Sequence, residues 1–478
     1  MTTSTPLKQF LTIPYDQLET LNLEAKQRVQ NGMKDPDLKE YYVEYLKGEN
    51  GIKAVTLCFA DIEGRFHMLD YDKKYILKNN QNLTFDGSSI RGFSNVDDSD
   101  LRLEPDWGSF RWLPADIFGA GKVIMFANIK DQDGSPYHSD QRSILKAYVG
   151  QLKDKKNIST NVAVECEGFL LDGISAEQEF VSQTGFRLVS TGGYYNSLPK
   201  DRLKLFIDEF AEAQRAMGFE NEKDHPEVAP SQFELNYRYC DAVTAADQLL
   251  LYKLLARQIA ASSGMTASFL PKPIMGINGS GMHCNISLSQ EGKNLFYGGE
   301  KGVLSPLAED LIARILYSAN DLCLVLNSSV NAYRRLDPNF EAPNQIKVSV
   351  TDRTSMIRIP LGNEDSSRIE VRSVGPDANP YMVFYTLLRT GLEGPHETPD
   401  DAKRPRTRFL PANIQDAMKH FKGSEIMNRF LGESTCGKYV ARKRISANRC
   451  PKELGTQVKS GEILFHHEVT NQSIWSRY

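Results

Sequence analysis

The 478-residue chain lacks three things at once: an excess of basic charge, a long apolar run and any closely spaced pair of cysteines. Its formal net charge of -4 leaves no electrostatic footprint for nucleic acid or for an anionic membrane surface. No segment reaches the roughly 18 uninterrupted apolar residues that a membrane helix needs. The first residues, MTTSTPLKQFLTIPYDQLETLN, show no charged head leading into an apolar run, so no export signal is expected. Seven cysteines are scattered at 58, 166, 240, 284, 323, 436 and 450. Their number is odd and no two form a C-x-x-C, which argues against a disulfide framework. They read as small buried hydrophobes in a reducing compartment. The expected location is the cytoplasm, with no nucleic-acid and no membrane partner.

What is present is an ordinary globular composition. With 40% hydrophobic and 25% charged residues the chain is neither disordered nor fibrous, and its length predicts two or three domains. Residues 1–50 are polar and helix-favouring. From residue 55 the pattern changes to buried strands at 55–60 and 123–127, with turns at 62–65 and 131–134. Roughly the first 140 residues read as a small α+β domain, and a helix over 139–154 leads into the next unit. Beyond it strands and helices alternate. Helical spacing predicts one helix over 244–263. A second, continuous one is predicted over 306–326, opened by Ser305 as N-cap and Pro306 at the first helical position. Both are expected to pack on a sheet. The tail is charged after Pro395 and helical from about Asn413.

Three strands carry polar residues on one face. Side chains alternate along a strand, so Glu165 and Glu167 share a face opposite Val164 and Cys166. His283, Asn285 and Ser287 share one opposite Cys284 and Ile286, and Arg368, Glu370 and Arg372 share one opposite Ile369 and Val371. Any one of these could be the solvated side of a one-sided sheet. Together they are a carboxylate pair, an imidazole and a carboxylate between arginines. Gathering such groups in one cavity costs desolvation unless ions neutralise them. Hard divalent cations do so through oxygen ligands and an occasional histidine. The segment HPEVAPSQFE adds Glu227 and Glu234, a weak signal alone. Arg334, Arg335, Arg353, Arg358, Arg368 and Arg372 follow in a dense series, suited to phosphates and carboxylates. No Walker or dinucleotide glycine motif occurs in a strand-to-helix context. A nucleotide would therefore be held by metals and arginines.

These residues resemble a known family. KPIMGINGSGMHC (272–284), FDGSSI (85–90), the E-x-E at 165–167, HPEVAPSQFEL, NAYRRLDPNFEAP (331–343) and the arginines through Arg372 are similar, in order and spacing, to the motifs of type I glutamine synthetases. The resemblance runs from about Phe85 to Pro380. It implies an α+β protein with an N-terminal β-grasp-like domain behind a helical leader (1–140). A catalytic domain (141–478) would follow, built on a curved antiparallel sheet flanked by helices. It implies ATP-dependent ligation of ammonia to the γ-carboxylate of L-glutamate through γ-glutamyl phosphate. It also implies a double-ring dodecamer with active sites between neighbouring subunits, the Asp86 loop coming from the adjacent one.

Roles follow position by position. Glu167, Glu227 and Glu234 match the ligands of a first metal, and Glu165, His283 and Glu370 those of a second, with Mg²⁺ or Mn²⁺ expected. Arg335, Arg372, Asn278 and Gly279 match the glutamate site. Arg353, Arg358 and Arg368 match residues on the ATP phosphates and the transferred phosphoryl group, and Asn285 and Ser287 fall on the nucleotide side. Glu341 matches a flap that closes over the intermediate. Asp86, Ser89, Tyr194 and Glu227 match an ammonium pocket in which Asp86 serves as base.

The sequence also departs from the pattern. Asn285 stands where a second histidine is usual, so adenine or ribose contacts are expected to differ. Asp352 stands where asparagine commonly precedes the arginine, and NSLPKDRLK after Tyr195 lacks a proline-rich stretch. No Asn-Leu-Tyr-Asp-Leu loop occurs near Pro395, so adenylylation of a tyrosine there is not expected. Two other readings stand beside the ammonia ligase. One is a γ-glutamylamide synthetase using a polyamine, alkylamine or aniline, against which the small acidic pocket of Asp86, Ser89 and Tyr194 argues. The other is a non-catalytic relative, disfavoured because all six metal positions carry ligand-type residues.

Overall fold

The structure of the protein, a computed structural model, describes residues 10–90, 92–94, 99–176, 185–195, 201–274, 276–336, 342–397 and 408–448. The chain forms two units. The first holds residues up to Asp61, Phe66–Ser143 and Glu209–Asn221; the second holds Ile62–Arg65, Ile144–Asp208 and the chain from Glu222 on.

In the first unit the strands are β1 (Ala54–Ala60), β2 (Phe66–Asp72), β3 (Leu83–Asp86), β4 (Asp100–Pro105), β5 (Arg111–Trp112) and β6 (Lys122–Lys130). They pair in the order β2-β1-β6-β4-β3, with β5 also on β6. The central pair β1–β6 is parallel. The apolar run AVTLCFA makes β1 buried at every position, whereas FHMLDYD leaves the edge strand β2 half-buried or exposed. Two N-terminal helices, Tyr15–Gln30 and Asp35–Gly48, bring aromatic rings to this core: Tyr42 stacks on Phe110 with ring centroids 4.2 Å apart. A buried asparagine fastens the first helix. Asn22 Nδ2 donates to the carbonyls of Trp112 and Ala216 at 3.0 and 2.7 Å, and its Oδ1 accepts from Trp112 N at 2.9 Å. Its polar atoms are thus satisfied without water, as burial demands.

The second unit carries β7 (Ile158–Asp172), β8 (Asn221–Pro226), β9 (Gln232–Tyr237), β10 (Met265–Ser268), β11 (Met282–Gln290), β12 (Lys293–Asn294), β13 (Gln345–Ser349), β14 (Ser355–Arg358) and β15 (Ile369–Val371). Their order is β13-β14-β15-β11-β7-β9-β8, with β10 on β7 and β12 on β11. The pairs from β14 to β9 are antiparallel, as expected, and β13–β14 at the margin is parallel. Along β7 the odd and even positions part cleanly: Val162, Val164 and Cys166 are buried while Ala163, Glu165 and Glu167 are partly open. The helix Ala242–Ser262, capped by Asp241 accepting from Val243 N and Thr244 N, packs on β7 and β10.

The continuous helix expected over 306–326 is instead two, Pro306–Tyr317 and Ala319–Leu326. Hydrogen bonds Ser318 N to Arg314 O and Leu322 N to Ser318 O run through the break, so it is a bend at Ser318. It turns the chain from an amphipathic helix into one whose apolar residues are all buried. Pro306–Tyr317 rests mainly on the helix Pro380–Glu393 and meets the expected sheet only at its marginal strand β13. Among the described residues no helix is long and apolar enough to cross a membrane.

Candidate active site

Strand register assembles the site. Across the sheet Glu165 faces His283, Glu167 faces Glu234, Asn285 faces Glu370, and Glu370 faces Arg358. Opposed residues on one face lie within reach of each other, so segments far apart in sequence become one polar row over β14, β15, β11, β7 and β9. The row is not a solvated sheet face. Glu370 is fully buried, and Asn285 and His283 are 4% and 7% exposed.

Two carboxylate–imidazole groups stand on the row. In one, His283 Nδ1 lies 3.6 Å from Glu165 Oε2 and 3.5 Å from Glu370 Oε1. In the other, His225 Nδ1 lies 3.6 Å from Glu227 Oε1 and its Nε2 3.6 Å from Glu234 Oε1. Each group offers three ligand atoms within 4.8 Å of one another. Glu167 sits between them, its Oε1 3.8 Å from His283 Nε2.

Their electrostatics differ. Burial pushes the Glu165 carboxyl up, but the His283 imidazole, the Asn285 amide and the Lys223 ammonium outweigh it and hold the group at about 2. Glu227 is pushed up to about 9 by burial and by the charges of Glu167 and Glu234. Glu167 is raised as well, chiefly by burial. Burial alone would lower the His225 imidazole; Glu234 and the Pro226 carbonyl reverse this and raise it. Carboxylates that crowd each other until protons bind are suited to a cation in the protons' place. The donor set of carboxylate oxygens with imidazole fits a divalent ion.

These groups open on a cavity of about 310 Å³ lined also by Asn278, Gly279, Tyr194, Lys223, Gln232 and the arginines 335, 353, 358, 368 and 372. Arg335 closes the helix Val330–Arg335, with its Nη1 and Nη2 on the carbonyls of Val374 and Arg372 at 3.2 and 3.0 Å. Arg358 Nε and Arg372 Nη1 both donate to the buried Glu370 carboxylate, while Arg372 Nε is buried with no hydrogen-bond partner among the described residues. Gly281 leaves room here: a Cβ would meet Arg335 Nη2 at 2.4 Å and His283 Nε2 at 2.7 Å and displace one of them. Its N–H donates to Glu167 Oε2 at 2.8 Å. Asp352 belongs to the turn before Arg353, accepting from Lys347 Nζ at 2.6 Å and Thr354 N at 2.8 Å.

The second unit therefore gathers Glu165, Glu167, Glu227, Glu234, His283, Asn278, Gly279, Tyr194, Arg335, Arg353, Arg358, Arg368 and Arg372 at one cavity. Glu370 and Asn285 lie beneath the lining, and Ser287 Oγ accepts from Asn161 Nδ2 at 3.3 Å, away from it. Asp86 and Ser89 belong to the first unit. There the Asp86 carboxylate accepts from the Ser88 and Ser89 hydroxyls at 2.6 and 2.5 Å, which hold it below the usual carboxylate range. Glu341 and residues 196–200 lie outside the described residues. Sequence reasoning missed His225, Gln232 and Gly281. Gln232 Nε2 reaches Gly279 O at 3.0 Å and Glu167 Oε2 at 3.3 Å. The signal for two of them was at hand: His225 and Gln232 stand inside the segment that supplied Glu227 and Glu234.

Fold and site together define an α+β protein of two units whose second unit carries an acid-and-arginine cavity on one face of its sheet. Residues 138–457 match the family model "Glutamine synthetase, catalytic domain", and residues 51–132 match "Glutamine synthetase, beta-Grasp domain". The glutamine synthetase of Clostridium saccharobutylicum is 36% identical over 429 residues, 85% of this chain and 94% of the relative. That of Methanosarcina mazei is 34% identical over 430 residues, 86% and 95% of the two chains. Among solved structures, the Plasmodium falciparum glutamine synthetase superposes with a TM-score of 0.77 at 21% identity, covering 88% of this chain and 98% of that one. A structure named apo GmaS superposes at 0.72 with 26% identity, covering 86% and 94%. The chain belongs to the glutamine synthetase family.

Proposed function

We propose that the protein joins ammonia to the γ-carboxylate of L-glutamate in an ATP-dependent reaction through γ-glutamyl phosphate, releasing ADP, phosphate and L-glutamine. The observation that carries this reading is the cavity itself, where two carboxylate–imidazole groups and five arginines converge. A carboxylate is a poor electrophile and must be activated, so the site has to hold two anions, glutamate and ATP, against their mutual repulsion. In this reading Arg335 and Arg372 receive the glutamate carboxylates, and Arg353, Arg358 and Arg368 the phosphate oxygens; that all five line the cavity supports it. Divalent ions, Mg²⁺ or Mn²⁺, held by Glu167, Glu227 and Glu234 with His225 beside them and by Glu165, His283 and Glu370, would neutralise charge on the transferring phosphoryl group.

Ammonium is not a nucleophile until it loses a proton. Glu227, crowded by Glu167 and Glu234, is suited to hold the cation, and Asp86 is assigned the proton, which it can take well only once the serine hydroxyls that lower it are released. Ammonia then attacks the acyl carbon and phosphate leaves. Glu341 is assigned to the flap that keeps water from the acyl phosphate. A homo-oligomer, the double-ring dodecamer, would bring the Asp86 loop of one subunit to the cavity of the next.

One observation favours an organic amine instead. Tyr194 and Tyr195 stack at 3.8 Å and lie edge-on to His225, and aromatic faces attract alkylammonium ions. An amine panel with purified protein decides. Glutamate-dependent ADP release with ammonia, and little with methylamine, a polyamine or aniline, is expected. Turnover confined to a larger amine would overturn the ammonia reading.

A further inference from the structure

Asn285 lies one layer below the cavity with both ends of its amide engaged. Its Nδ2 donates to Glu165 Oε1 at 2.9 Å, and its Oδ1 accepts from Arg368 Nε at 2.9 Å. Chemistry fixes which end is which. A guanidinium has only donors and an ionised carboxylate only acceptors, so the carbonyl faces Arg368 and the nitrogen faces Glu165. Arg368 is held a second time through Nη1 on the Ser366 carbonyl at 3.1 Å. Glu165 and Arg368 both line the cavity, and Asn285 does not. The residue read from sequence as lying on the nucleotide side thus touches two residues that line the cavity.

We infer that Asn285 is a positioning residue that ties the arginine assigned to the ATP phosphates to the carboxylate assigned to a divalent cation; this rests on the ligase reading above. Glu165 and Arg368 carry opposite charges and face ligands of opposite charge. In direct contact they would form an ion pair and each would be weakened toward its own ligand. A neutral amide between them fixes both side chains while leaving both charges available. Any movement of one is passed to the other through two hydrogen bonds to charged groups, the stronger kind.

The test uses the full-length protein, with Mn²⁺ binding followed by electron paramagnetic resonance without nucleotide, and ADP binding by calorimetry in EDTA. Asn285→Leu removes both bonds and is expected to weaken Mn²⁺ and ADP by roughly tenfold or more each. Asn285→Asp is isosteric, keeps an acceptor for Arg368 and adds a negative charge beside Glu165. It is expected to weaken ADP roughly tenfold, by neutralising Arg368, while Mn²⁺ binding stays within about threefold of the parent or tightens. A structural role alone would weaken both ligands alike in both variants, and that result overturns the inference. So does an Asn285→Leu protein that binds both ligands like the parent. If the leucine variant does not fold, the aspartate variant decides alone on the same split. A parent protein that binds neither Mn²⁺ nor ADP sinks the ligase reading, and the inference with it.

Discussion

The two carboxylate–imidazole groups are built from the same residue types, on the same sheet, and carry opposite electrostatic states. Around Glu165, His283 and Glu370 the negative charge is already balanced: Arg358 and Arg372 grip Glu370, Asn285 and His283 serve Glu165, and Glu165 stays ionised down to about 2. Around His225, Glu227 and Glu234 no arginine ion pair is found among the described residues, Glu167 adds a fourth charged group, and Glu227 rises to about 9. The difference teaches that ligand count alone does not describe a cation site. One group is already balanced by the protein's own cations, and the other would be balanced only by a bound cation.

The sharpest way to break this comparison is to remove the balance in the first group. Glu370→Gln leaves two guanidinium groups without their shared carboxylate in a buried place. It is expected to lower unfolding free energy in urea by about 3 kcal/mol, the low end for a broken buried pair because Arg358 is partly exposed. Turnover should fall roughly 10²–10³-fold. Next comes Glu167→Ala, expected to reduce ligase turnover by about 10²-fold or more; unchanged turnover would remove Glu167 from the site. Glu227→Gln should act in two directions. It relieves repulsion, so the metal-free protein should gain up to about 1 kcal/mol in urea, whereas Mn²⁺ affinity should fall roughly tenfold. A variant that loses both stability and Mn²⁺ affinity would erase the contrast.

The last test is a pH signature of the metal-free protein. Glu227 has a folded value near 9 against an ordinary 4.5, so its contribution is complete below pH 4.5 and is lost as pH rises toward 9. Glu165 has about 2 against 4.5, so its contribution is complete above pH 4.5 and is lost as pH falls through 2. Urea midpoints measured in EDTA should decline on both sides, with Glu227→Gln flattening the alkaline limb and Glu165→Gln the acid one.

Much of this was legible before any coordinates. The period-two alternation in VAVECEG, MHCNISL and RIEVR marked three strands with a polar face, and Ser305-Pro306 marked a helix start. Pairing was not legible. Nothing local says that His283 sits opposite Glu165 or Glu234 opposite Glu167, because register is decided by which apolar faces meet across the sheet. For the same reason the segment that holds both His225 and Glu234 did not show that they meet, nor did the sequence show that Asn285 reaches Glu165 and Arg368. The bend at Ser318 was hidden because the residues on either side continue a helical pattern, and the turn into the core is a tertiary choice.

The strand β7 has a metric consequence. Glu165 and Glu167 are successive same-face residues of a continuous, fifteen-residue strand, and backbone repeat sets such positions about 6.6 Å apart. That interval is a property of the peptide, not of adjustable side chains. The central strand thus works as a ruler. It sets the two carboxylates on successive steps of one face, and no side-chain substitution along it changes that backbone interval.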